Sequence, residues 1–318
     1  MTDIALKVEN LTVTTARSAE LISGVDLTLY QGQLLGLVGE TGAGKTLTAR
    51  AALGLLPRGL QGSGQLQYSD GAILDVSDSE QLARRLGTTA GLMFQNPVGM
   101  FDPLQRIGAQ LVEAVVSNGL MSKTAAEVRA RMLCEDLGLG NGDTLFRRYP
   151  HELSGGMCQR AALALTLMPE LRLLVIDEPT SALDGQNRVA ALRLLQRIAR
   201  DHDVGILLIS HDLNLVSRFC DRLVVMYAGR VAEQGVTTDV LGAPAHPYTA
   251  TLLSCSLSLD RGKRQKLPTV FGEPPLAGEW PSGCHFHPRC GRATEKCAAE
   301  GPALMEIGRR EVACHFPG

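Results

Sequence analysis

The chain predicts an α/β fold: a parallel sheet flanked by helices, preceded by antiparallel strands and interrupted by a helical insert. Three observations carry this. Residues 171–227 alternate short apolar runs with amphipathic stretches, the pattern of parallel strands joined by helices. Residues 4–13 and 25–30 alternate apolar and polar positions, which suits half-exposed antiparallel strands. Between Val98 and Pro150 the apolar spacing changes to three- and four-residue steps, the period of a helix.

Taken in order, Gln33 to Val38 is an apolar run that reads as a buried strand, and Leu47 to Leu56 reads as a helix closed by Pro57. Between them stands Gly39-Glu40-Thr41-Gly42-Ala43-Gly44-Lys45-Thr46, which fits G-x-x-x-x-G-K-[ST] at every fixed position. Glycines let the backbone curl so that successive N–H groups point inward, and the new helix adds its positive end. A triphosphate is held there, with Lys45 reaching the β- and γ-phosphates and the Thr46 hydroxyl ligating Mg²⁺. Thr48, further into the helix, completes the nucleotide-binding set.

Gly59 to Gly64 reads as a glycine-rich break, Gln65 to Ser69 as a strand, and the sequence to Thr89 is weakly patterned. Ala90 to Phe94 is an apolar strand that leads to Gln95. Ile107 to Val116 and Thr124 to Leu137 are the two helices of the insert, which closes on Tyr149-Pro150-His151-Glu152-Leu153-Ser154-Gly155-Gly156-Met157-Cys158-Gln159-Arg160. Helix continues from Ala161 to Met168. Leu171 to Glu178 is an apolar strand that ends in two acids, and phosphoryl transfer to water uses both: Asp177 to hold Mg²⁺, Glu178 to orient the attacking water.

Helix (Gln186 to Arg200), strand (Val204 to Ser210), helix (Asp212 to Phe219) and strand (Leu223 to Tyr227) follow, and Gly229 to Gly235 reads as a closing hairpin strand. His211 stands at the carboxyl end of its strand, the side on which open parallel sheets bind ligands. On position alone it is equally a structural histidine. After Leu259 the composition shifts, and residues 260–283, with four prolines and four basic residues, read as a linker strapped along a surface.

The 31 basic and 33 acidic residues are interspersed and give a net charge of −2, which excludes a basic nucleic-acid surface. No apolar stretch approaches the ~18 residues of a membrane span, so the expectation is a cytoplasmic protein that works at a membrane only by docking onto other subunits. Cys134, Cys158, Cys220 and Cys255 stand apart in apolar or helical contexts and read as inert thiols. Cys284, Cys290, Cys297 and Cys314 cluster with the spacing C-x5-C-x6-C-x16-C. In a reducing compartment this points to a metal rather than disulfides, and the absence of C-x2-C pairs leans toward an iron–sulfur cluster while leaving zinc open. His285, His287 and His315 flank the cysteines and read as surface histidines rather than ligands.

In their order, the phosphate loop, Gln95, Leu153-Ser154-Gly155-Gly156-Met157, Leu174-Val175-Ile176-Asp177-Glu178-Pro179, Ser181-Ala182-Leu183-Asp184 and His211 resemble the ATPase subunit of an ATP-binding cassette (ABC) transporter, over about residues 4–255. The resemblance implies an ABC ATPase fold: a phosphate-loop NTPase core with an antiparallel β subdomain (residues 1–97 and 151–243), a helical subdomain (98–150) and a C-terminal extension (244–318). It also implies a head-to-tail dimer in which Ser154, Gly155 and Gly156 of one cassette cap ATP on the other. Gln95 would link Mg²⁺ and the γ-phosphate to the membrane subunits, Asp184 would join the two sites, and His211 would hold the γ-phosphate. Two departures stand out: Val13-Thr14-Thr15-Ala16 offers no aromatic residue to stack on adenine, and Met157 replaces the usual glutamine.

The Tyr149 to Met157 run, Phe94-Gln95-Asn96-Pro97 with Phe101-Asp102-Pro103, and His246-Pro247-Tyr248-Thr249 resemble the dipeptide, oligopeptide and nickel importers, as does the module from Gly283-Cys284 to Cys314-His315. That branch implies a [4Fe-4S] cluster on Cys284, Cys290, Cys297 and Cys314, with Zn²⁺ as the alternative. It pairs two similar but distinct ATPase subunits beneath two transmembrane permease subunits at the cytoplasmic face of the inner membrane, fed by a solute-binding protein. The expected activity is ATP hydrolysis driving uptake of peptides, nickel or a chelated metal; the rival reading is a soluble ABC ATPase of iron–sulfur cluster assembly.

Overall fold

The computed structural model describes residues 3–94, 97–140, 142–178, 185–255 and 271–318. Strands β1 (Ile4–Thr15) and β2 (Glu20–Tyr30) pair antiparallel, with Lys7 opposite Thr28. The alternation in β1 changes phase at its middle: Leu6 and Val8 are buried, then Leu11 and Val13. A bulge causes this, since Asn10 takes φ 51° and the register shifts between Val8 and Leu11.

Every residue of β3 (Leu34–Val38) is buried. Helix α1 (Lys45–Ala51) begins before the predicted Leu47 and stops short of Leu56. A Schellman turn ends it: Gly54, at φ 69°, donates to Ala51 O, and Leu55 donates to Arg50 O. Strand β4 (Leu60–Tyr68) runs straight through the stretch expected to be a break. Its glycines serve close approach instead, because a Cβ on Gly62 would stand 2.5 Å from Val76 and 2.8 Å from Leu56. Strand β5 (Ile73–Asp75) and helix α2 (Ser79–Ala83) occupy the weakly patterned segment, and β5 completes an antiparallel sheet of order β2-β1-β4-β5.

After β6 (Ala90–Met93) come α3 (Ile107–Val116), α4 (Lys123–Asp136), α5 (Gly142–Phe146) and α6 (Gly155–Leu167). The periodicity placed α3 at its observed bounds and α4 within a residue, because their apolar positions are those that pack: Ile107, Leu111 and Val115 are wholly buried with Ala126, Ala130 and Leu133. The chain then alternates through β7 (Leu173–Asp177), α7 (Gly185–Asp201), β8 (Gly205–Ser210), α8 (Leu213–Phe219) and β9 (Arg222–Tyr227), and turns back in β10 (Arg230–Val236).

Strands β9, β3, β8, β7 and β6 are parallel neighbours in that order. Their apolar runs are continuous because both faces of the sheet are covered. Leu34, Val38, Leu174, Ile176, Ile206, Leu208, Leu223 and Val225 belong to the core shared with the helices, while Leu35, Leu37, Leu173, Val175, Leu207, Ile209, Val224 and Met226 belong to the core shared with the antiparallel sheet. Successive side chains point to opposite faces, so one strand serves both cores.

Beyond β10 lie α9 (Thr237–Gly242), α10 (Pro247–Cys255), α11 (Glu295–Ala299), β11 (Met305–Ile307) and β12 (Arg310–Val312). Residues 256–270, which include the first part of the expected linker, lie outside the described residues. The end of the chain rejoins the main sheet: β12 pairs antiparallel with β10, Val312 opposite Glu233, and β11 pairs with β12. Glu233, wholly buried, ties this junction by accepting from the backbone N–H of Ala245 and of His246, each at 3.0 Å, with Arg310 3.4 Å away.

Candidate nucleotide site

The parallel strands bring their carboxyl ends to one edge of the sheet, and the predicted chemistry collects there. The loop after β3 curls through left-handed glycines, Gly42 at φ 83° and Gly44 at φ 100°. At Gly44 the left-handed φ strains any side chain, and a Cβ would crowd Ile22 Cδ1 at 2.4 Å. Lys45 opens α1 and is buried, its ammonium donating to the carbonyls of Gly39 and Glu40 at 2.9 Å each. Burial lowers its pKa, opposed by the charges of Glu178, Asp177 and Glu40.

Asp177, the last residue of β7, accepts from the Thr46 hydroxyl at 3.0 Å. Burial pushes the Asp177 carboxyl upward, the Thr46 hydrogen bond counters this, and the neighbouring Glu178 adds to the rise. Thr46 and Asp177 therefore present two hard oxygen donors side by side, a set that suits Mg²⁺. Glu178 sits just past the strand at φ 49°, its N–H bonded to Ile209 O of the adjacent β8. That turn carries its carboxylate to 2.9 Å from Nδ1 of His211, which follows β8. His211 is thus not an isolated structural histidine: neighbouring parallel strands place it beside the second acid.

Thr48 does not join this group. Two residues along a helix rotate a side chain by about 200°, and Thr48 is buried with its hydroxyl 3.7 Å from Met226 Sδ. Gln95 and Asp184 lie outside the described residues. Ser154, Gly155 and Gly156 stand at the start of α6, which packs with α3, α4 and β6. Ser154 caps α6, its hydroxyl accepting from Met157 N–H at 3.3 Å, and a Cβ on either glycine would meet nothing within 4 Å.

Sequence reasoning missed three residues at the loop's outer side. Tyr248 Oη accepts from the Glu40 N–H at 2.9 Å, and Arg289 grips the Glu40 carboxylate at 2.6 Å while donating to Tyr227 Oη. Tyr248 and Arg289 sit in motifs already singled out, His246 to Thr249 and the cysteine module, yet no spacing rule connects either with residue 40.

Two of the four C-terminal cysteines are joined through their backbones. Cys284 N–H donates to Cys297 O at 2.8 Å, and burial raises the Cys284 thiol, with the charges of Cys297, Cys314 and Cys290 adding to it. Among the described residues, however, no group of three or more His, Cys, Asp or Glu side chains is arranged to hold a metal ion. The flanking histidines engage backbone carbonyls: His285 that of Ala228, His287 that of Cys284 and His315 that of Glu300.

A family model described as "ABC transporter" matches residues 22–181, and one described as "Oligopeptide/dipeptide transporter, C-terminal region" matches residues 232–297. The chain is 38% identical over 301 residues to the probable D,D-dipeptide transport ATP-binding protein DdpD of Escherichia coli, covering 93% of this chain and 90% of that protein. It is 35% identical over 318 residues to the oligopeptide transport ATP-binding protein OppD of Salmonella typhimurium, covering 99% and 94%. Among solved structures, cbiO1 of Clostridium perfringens, part of the ABC transporter complex cbiONQ, superposes with a TM-score of 0.66 at 26% identity, over 76% of this chain and 91% of that one.

Proposed function

The chain belongs to the ABC transporter ATPases, in the dipeptide and oligopeptide importer branch, and from that premise we propose how its residues power peptide uptake through partner membrane subunits. It hydrolyses ATP, and hydrolysis is coupled to transport. The observation that carries the residue assignment is the pairing of two contacts at the same sheet edge, Thr46 with Asp177 and Glu178 with His211. Lys45 binds the β- and γ-phosphates, and the carbonyls of Gly39 and Glu40 hold its ammonium at the loop. Mg²⁺ held by Thr46 and Asp177 would neutralise phosphate charge. Glu178 orients the attacking water, and His211, on its carboxylate, steadies that orientation and meets the γ-phosphate.

The test is Glu178→Gln in the assembled transporter. It should bind ATP while turnover and peptide uptake fall by about 10²-fold or more; hydrolysis at the parent rate would overturn the assignment.

A second cassette, similar to this one, supplies the signature. This is supported by the packing of α6 with the insert helices α3 and α4 and by the open space over Gly155 and Gly156 at its start. No helix among the described residues is long and apolar enough to cross a membrane, which fits peripheral attachment to permease subunits at the cytoplasmic face of the membrane, supplied by a solute-binding protein. Peptide is the substrate class favoured over nickel, because the full-length relatives are named for peptide transport. The same relatives, with the C-terminal match at residues 232–297, disfavour the soluble iron–sulfur assembly ATPase.

For the extension we infer a thiolate site on Cys284, Cys290, Cys297 and Cys314, for a [4Fe-4S] cluster or, alternatively, zinc. It is supported by the bond from Cys284 N–H to Cys297 O and by Cys297, Cys314 and Cys290, whose charges add to the rise of the Cys284 thiol. Iron, sulfide and zinc analysis of protein purified without oxygen decides between them, and a chain carrying none of the three sinks both.

A further inference from the structure

The turn His287–Arg289 lies between Cys284 and Cys290 in the C-terminal module, yet its arginine ends at the phosphate loop. Arg289 Nη1 stands 2.6 Å from Glu40 Oε2 and Nη2 3.2 Å from Oε1, a two-pronged pairing of planar groups. The remaining donors are also used: Nε reaches Phe271 O at 2.9 Å, Nη2 reaches Gly272 O at 3.2 Å, and Nη1 reaches Tyr227 Oη at 3.2 Å. The arginine side chain is 5% exposed and that of Glu40 23%. Burial works against the guanidinium charge, and Glu40 and Tyr227 more than offset it.

Glu40 is held at three points. Its N–H donates to Tyr248 Oη, its carboxylate takes Arg289, and its carbonyl accepts from Lys45 Nζ. The arginine thus acts on the phosphate-binding lysine through one intervening residue. An aromatic cluster backs the grip: Tyr227 lies 4.7 Å from Tyr248 and 5.1 Å from Phe286, centroid to centroid, and Phe286 is buried.

A carboxylate in a phosphate loop is an electrostatic liability, because it repels the triphosphate and competes for the lysine. We propose that Arg289 is a positioning residue of the nucleotide site: by clamping and neutralising Glu40 it presets the phosphate loop for ATP, so the C-terminal module sets nucleotide affinity. The inference rests on the ATPase reading above and adds to it a residue that touches neither phosphate nor reacting water.

The full chain tests it by equilibrium ATP binding and steady-state ATPase kinetics on Arg289→Met, Glu40→Gln and the double variant. Arg289→Met should raise the ATP Kd about tenfold, with the loss falling on KM more than on kcat. Glu40→Gln removes the carboxylate that Arg289 restrains, so the double variant should recover most of that affinity, a rescue that simple loss of packing does not give. Multiplicative losses in the double variant, an unchanged Kd in Arg289→Met, or a fall in kcat at constant Kd would overturn the proposal. Thermal melting identifies folded variants; if Arg289→Met does not fold, Arg289→Lys, which keeps charge but loses the fork, should still raise Kd, and parental affinity in it refutes the idea. A parent chain that binds no ATP would instead sink the ATPase reading itself.

Discussion

Glu233→Gln isolates how the end of the chain is fastened to the main sheet. The Glu233 carboxylate has no exposed surface, and each oxygen accepts a backbone N–H, from Ala245 and from His246, at 3.0 Å, with Arg310 3.4 Å from one oxygen. A glutamine amide has one oxygen and one NH₂, so in either orientation a donor faces a donor and one buried N–H loses its partner. Leaving such a group unpaired costs about 1–3 kcal/mol, and the charge-assisted bond to Arg310 is lost as well, so about 2–3 kcal/mol is expected. The lone tryptophan, Trp280, lies just before the cysteine module and stacks on its His285 at 5.8 Å. Its fluorescence therefore reports the module, while far-UV circular dichroism reports the whole fold. In urea the Trp280 transition should move about 1 M lower, given slopes of about 2 kcal/mol per molar, and should precede the dichroism transition. A Trp280 midpoint equal to the parent's would show that the buried carboxylate does not fasten the module.

Two more outcomes follow from the site. Gly44→Ala should weaken ATP binding about tenfold or more without unfolding the chain, because φ 100° strains an alanine and its Cβ crowds Ile22 Cδ1; calorimetric titration with ATP at parental affinity would refute this. Asp177→Asn should raise the thermal midpoint at neutral pH while abolishing hydrolysis. The folded Asp177 pKa lies above its unfolded value, so its ionisation costs stability as pH rises through that range, and the stabilisation by asparagine should shrink as pH falls. A gap between the two melting curves that stays constant from neutral to acid pH contradicts the sign.

The strands that carry the proposed site residues were legible in the sequence. The glycine loop after β3, the acids at the end of β7 and His211 after β8 each mark the end of a short buried strand, and strands covered on both faces announce themselves as continuous apolar runs. Helices α3 and α4 were legible for the same reason, because one face of each supplies the core. Glycine misled twice: in β4 it permits close approach rather than a break, and at Gly54 it ends α1 early. Thr48, expected in the nucleotide set, turns instead toward Met226, because two residues along a helix rotate a side chain to another face.

What short, contiguous segments encode was readable from sequence: the glycine loop after one buried strand, the two acids at the end of another, and the membership in the ABC ATPases. Tertiary structure alone decided what meets across long separations. The Glu178 and His211 contact spans 33 positions, the return of β12 to β10 more, and the Arg289 grip on Glu40 spans 249. Local periodicity records which side of an element is buried but not what covers it. The phosphate loop is therefore readable from eight residues, whereas the arginine that steadies it is visible only once the chain has folded back onto its own beginning.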